Sequence, residues 1–127
     1  MEIDSSVLSF FASHMEALPL FEALAEKIKS EIEDVEIRVQ KTQISFYRKR
    51  LFGCISFLRP RKKQDCPAVF ITVTFGLGRP LSSPRIDALS EPYPARWTHH
   101  LMLSEVRQID NELLGWIREA ACFAEAK

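Results

Sequence analysis

Apolar residues along this chain recur first at helical and then at alternating spacing. Met15, Leu18, Leu20, Phe21, Leu24, Ile28 and Ile32 follow one helix face up to Glu33-Asp34. Pro19 lacks a backbone donor and belongs in a first turn, so the long helix is placed to start near Ala17. Before it, Ser5 or Ser6 can cap a short helix that runs to about His14.

From Val35 the period drops to two. Val35, Ile37 and Val39 alternate with Glu36, Arg38 and Gln40, as in a half-buried strand. Ile44 and Phe46 alternate with Ser45 and Tyr47, and Lys49-Arg50 then turns into the apolar run 51–58, which predicts a hairpin. A polar loop over 59–65 leads to Val69, Ile71, Val73 and Phe75, whose strand ends at Gly76-Leu-Gly78. Residues 97–103 read as the last strand. Ser104 can then cap a helix whose stripe is Val106, Ile109, Leu113, Ile117, Ala120 and Ala124.

Between these, residues 79–96 are too long for a structureless connection in a compact domain, so they hold structure or function of their own. Ser83-Pro84 suggests a helical turn or two over 84–90. The whole order predicts an α+β fold: an antiparallel sheet of four to five strands, with the N-terminal and C-terminal helices packed on one face and the other face open.

With 127 residues, 46% apolar and 27% charged, the chain fits one domain over 1–127 with a real core. Its three cysteines form no Cys-x-x-Cys pair and are odd in number, which points to reduced thiols. Glu2 and Asp4 stand where a leader would be basic, and no run approaches a membrane span, so a cytoplasmic protein without membrane attachment is expected. Net charge is zero but segregated: residues 1–40 carry 3 basic and 9 acidic side chains, 41–100 carry 11 and 3, and 101–127 carry 3 and 5. The centre is therefore +8, flanked by −6 and −2, a pattern suited to an anionic partner.

Three segments carry a family resemblance: Lys41-Thr-Gln-Ile-Ser-Phe46, Pro92-Tyr-Pro-Ala-Arg-Trp-Thr-His-His100 and Asp110-Asn-Glu-Leu-Leu-Gly-Trp-Ile-Arg-Glu-Ala120. Together they resemble a family of small bacterial domains of unknown function, number 5655 in that series. That resemblance implies membership and no activity. In element order alone, the chain is similar to the frataxin-like iron chaperones, which bind metal through an acidic first helix and a sheet.

No reaction can be assembled from the motifs. There is no Gly-x-Ser-x-Gly, no His-Glu-x-x-His and no phosphate-cradling glycine loop, and Cys54 falls inside a strand, where cysteine behaves as a small apolar residue. His99 and His100 point to opposite faces of their strand and cannot grip one metal together. His99, in parity with Trp97, Leu101 and Leu103, reads as a core histidine bonded to a carbonyl or to the long loop, and His14 as a surface helix-end residue. Parity places Arg38, Ser45, Tyr47, Phe70, Thr72, Thr98 and His100 together on the open face.

The favoured reading is thus a non-catalytic cytoplasmic binding module. Its open face and the 79–96 loop would receive a small anionic or planar ligand or a protein partner, through Arg38, Tyr47, Arg96 and His100. One alternative is nucleic-acid binding through a basic patch of Arg48, Lys49, Arg50, Arg61, Lys62 and Lys63. The other is a frataxin-like metal chaperone using the acidic set Glu22, Glu26, Glu31, Glu33, Asp34 and Glu36. No cofactor and no resident metal site are indicated.

Overall fold

A computed structural model describes residues 5–126; Glu2 and Asp4 lie outside the described residues. Helix α1 (Ser5–Phe10) and a single 3-10 turn at Met15–Ala17 lead into α2 (Leu18–Glu31), where Pro19 sits in the first turn. Six strands follow: β1 (Glu36–Val39), β2 (Ile44–Tyr47), β3 (Leu51–Ser56), β4 (Ile71–Leu77), β5 (Ala88–Tyr93) and β6 (Arg96–Leu103). Helix α3 (Asn111–Ala126) closes the chain.

All strand pairs are antiparallel, in the order β1-β2-β3-β4-β6-β5. One face is apolar by alternation. Ile44, Phe46, Ile55, Ile71, Val73, Phe75, Leu101 and Leu103 are buried there with the α2 side chains Phe21, Leu24 and Ile28 and the α3 side chains Leu113, Ile117 and Ala120. Complete burial of aliphatic and aromatic side chains of this size stabilises the fold by about 1.5–3 kcal/mol each relative to exposure. Helix α1 closes one end of this core, where Phe11 packs 5.6 Å from Phe21 and edge-on to Phe57.

The α+β architecture agrees with the sequence reading, with one strand more. That strand, β5, lies within 79–96, where a helical turn was expected. The Asp87 carboxylate accepts the Met102 N–H at 2.7 Å and the Asp87 N–H donates to the His100 carbonyl at 2.8 Å, which starts a strand rather than a helix. Two helices are also shorter than expected. α1 ends at Phe10, and beyond Ser104 there is only a 3-10 turn at Val106–Gln108, capped by Glu105 in place of Ser104. α3 starts later, where Asp110 accepts the Leu113 N–H at 3.0 Å, and this leaves Val106 exposed, off the predicted stripe.

The face opposite the helices is not bare along its whole length. The Thr72 hydroxyl donates to the Leu58 carbonyl, so the chain beyond β3 folds over one end of that face, and Thr72 and Met102 are buried. Ser45 is buried as well, bonded to Gln40 and Gln43, whereas Thr74, Thr98 and His100 are half-buried and Arg38 is exposed.

Candidate functional site

Register places one residue from every strand in a single row across the open face. Arg38 pairs with Ser45, Ser45 with Cys54, Cys54 with Thr74, Thr74 with His100, and His100 with Ala88. Side chains on directly opposed residues of one face lie within contact distance. The middle of the row, Cys54, Thr74 and His100, forms the floor of a trough of about 630 Å³. Its rim is Phe10 and His14 from the α1 end, Lys41 from the β1–β2 turn, and Phe57 just beyond β3.

Thr74 Oγ1 and His100 Nδ1 are 2.8 Å apart, which fixes the imidazole and leaves Nε2 without a partner among the described residues. Burial lowers the His100 pKa below the ordinary histidine range, so the ring is neutral at pH 7. Burial also pushes the Cys54 thiol up, against the opposing effect of the Thr74 hydroxyl, which keeps sulfur protonated and a weak nucleophile. His14 stacks on Phe57 with ring centroids 4.1 Å apart, and Phe10 stacks on Phe57 at 5.4 Å. No Asp or Glu lines the trough.

The expected ligand residues share a face but not a place. Arg38 and Tyr47 lie together, with the guanidinium 4.0 Å from the ring centroid and paired to Glu36. Four strand spacings separate Arg38 from His100, about 19 Å. Arg96 stacks on the exposed Tyr93 at 5.8 Å, about 14 Å along β6 from His100 by strand rise. Only His100 of the four lines the trough, and residues 79–96 contribute nothing to it.

The basic patch also divides. Arg48 pairs with Glu125 at 2.8 Å and Arg61 with Asp87 at 2.7 Å. Lys49 and Arg50 stand at one end of β3, whereas Arg59, Lys62 and Lys63 stand at the other, roughly 20 Å away. Arg79 and Arg85 are likewise engaged, by Glu119 and by Asp110 with Glu112. Much of the charge segregation therefore closes on itself, central cations against terminal acids.

In the acidic set, Glu31 is engaged by Arg118 and Glu36 by Arg38. Among the described residues no group of three or more His, Cys, Asp or Glu side chains could hold a metal ion, which leaves the chaperone reading without a site. No described helix is long and apolar enough to cross a membrane. His99 is where parity put it: Nδ1–H donates to the Trp97 carbonyl at 3.1 Å, Nε2 accepts the Leu81 N–H at 3.1 Å, and the ring stacks on Phe75.

Sequence reasoning missed Cys54 and Thr74: alternation puts Thr74 on the face of Thr72, but only register aligns both with Ser45 and His100. It also missed Phe10, His14, Lys41 and Phe57, which reach the trough through tertiary packing that no local pattern carries. No curated protein and no solved structure matches the chain. A family model described as Domain of unknown function (DUF5655) matches residues 7–123, and with most of its length covered the chain belongs to that family.

Proposed function

We propose that the protein is a non-catalytic cytoplasmic binding module whose trough receives a small planar ligand carrying an anionic group. The observation that carries this is a concavity of about 630 Å³ with an aromatic wall, a cation on its rim and no acidic side chain in its lining. That volume falls in the range of small-molecule sites. Phe10, backed by Phe57, gives the trough an aromatic wall, Lys41 supplies charge, and the neutral His100 offers its free Nε2 to a polar edge of the ligand. Burial pushes the Cys54 thiol up, which fits binding rather than thiolate chemistry at this position.

Titrating planar aromatic carboxylates and phosphates into isotopically labelled protein tests this reading. Amide shifts should concentrate at Cys54, Thr74 and His100 and weaken in Lys41→Glu. Shifts confined to another surface, or none across the set, would refute it.

A further inference from the structure

We propose that the ligand extends beyond the trough and carries a phosphate into a second hollow, so that its chemistry is that of a nucleoside monophosphate. This rests on the trough reading above. The second hollow, about 410 Å³, is lined by Arg59 and Lys63, with Phe70 and Val69 on its apolar side. His14 and Phe57 line both hollows, so the two adjoin, and the stacked pair is the ridge between the two parts of the groove.

The cations here differ from most arginines of the central segment. Arg48, Arg61, Arg79 and Arg85 are each engaged by a carboxylate, whereas Arg59, Lys63 and Lys41 carry no ion pair among the described residues. The loop that carries Arg59 and Lys63 is nonetheless held in place. Arg61 binds Asp87 and the Asp65 carbonyl, the Asp65 N–H donates to the Lys62 carbonyl, and the Cys66 thiol donates to the same carbonyl. Anchoring Arg61 sets its neighbours two residues away in each direction, Arg59 and Lys63, at the hollow.

Glu16 also lines this hollow and opposes an anion, but the two cations outweigh its single charge. A phosphate monoester carries about −1.5 to −2 charges at pH 7 and several strong acceptors, which two such side chains match. A ring on the sheet, a short linker over the His14-Phe57 wall along Val69 and Phe70, and a phosphate at Arg59 and Lys63 then use both hollows.

Calorimetric and amide-shift titrations with adenosine 5′-monophosphate, adenosine, inorganic phosphate and a single-stranded decanucleotide test this. The monophosphate should shift amides of both hollows and bind about 10-fold tighter than adenosine at low salt, a margin of the size two partly solvated cations supply. The double variant Arg59→Ala, Lys63→Glu should erase that margin and leave adenosine binding unchanged, with circular dichroism confirming the fold. Equal binding of monophosphate and adenosine, with shifts confined to the sheet, would overturn the inference while the trough reading stands. Silence from both overturns the nucleotide assignment, and the planar-anion titration then decides the trough separately. Tighter binding of the decanucleotide than of the monophosphate assigns the groove to a strand and also overturns it.

Discussion

His99 Nε2 accepts the backbone N–H of Leu81 at 3.1 Å, so a side chain of β6 satisfies a buried donor of the long connection between β4 and β5. The same ring donates its Nδ1–H to the Trp97 carbonyl and lies parallel to Phe75, with centroids 5.1 Å apart. Replacing it removes both partners and opens a cavity beside α3. His99→Ala should therefore destabilise the protein by about 3 kcal/mol in denaturant unfolding. A loss under about 1 kcal/mol would mean that the loop does not depend on this contact.

Acidification should weaken the fold in two stages. Burial is the main cause that lowers His99 below the ordinary histidine value of about 6.5, with Arg79 acting in the same direction and Glu119 against it; burial lowers His100 too. The unfolded chain then binds more protons than the folded one once pH falls below about 6.5, so stability is complete above that pH and declines beneath it. Glu119, held down by Arg79, and Asp110, held down by the Leu113 amide and Arg85 against burial, add a second loss below the ordinary carboxylate range. Thermal unfolding should give a flat Tm between pH 7 and 8, a lower one at pH 5.5 and a steeper fall in more acidic buffer. A Tm that rises from pH 7 to 5.5 would contradict the assignment.

Periodicity made the core legible. The helix-facing residues of β2, β4 and β6 alternate without error, and Pro19 marked the start of α2. Where two rules competed, the local one lost: Ser83-Pro84 looks like a helix start, yet Asp87 binds Met102 and commits the next residues to the edge of the sheet. The candidate site was legible only in part, because alternation assigns a residue to a face and leaves its position along and across that face to register. Arg38 and His100 share a row and are still about 19 Å apart. Charge segregation read as a patch dissolved for a similar reason, since Arg48 finds Glu125 only after folding.

Cys54 should report on the trough. It is half-buried beside Thr74 and its thiol is pushed up by burial, whereas Cys122 is exposed. Mass-spectrometric mapping of N-ethylmaleimide labelling at pH 7.5 should show Cys122 reacting about 10-fold faster than Cys54, since burial both restricts access to Cys54 and disfavours its thiolate. A ligand bound on the sheet should slow Cys54 further and leave Cys122 unchanged. Faster labelling of Cys54 than of Cys122 would show an activated thiol and reopen a catalytic role for the row.

Asp87 joins the loop that carries Arg59 and Lys63 to the sheet, so its removal separates two effects. Its side chain is only 9% exposed, accepting the Met102 N–H through one oxygen and Arg61 through the other. Asp87→Ala strands the buried Met102 donor and should cost about 2–3 kcal/mol. Asp87→Asn can keep an acceptor for Met102 while losing the charge that holds Arg61, and should cost nearer 1 kcal/mol, given how partly exposed the arginine is. Phosphate-dependent affinity should nevertheless fall in Asp87→Asn, because the released loop no longer holds Arg59 and Lys63 at the groove. Unfolding curves and monophosphate titrations on the two variants check this, and retention of full affinity in a destabilised Asp87→Asn would show that the loop needs no anchor to present its cations.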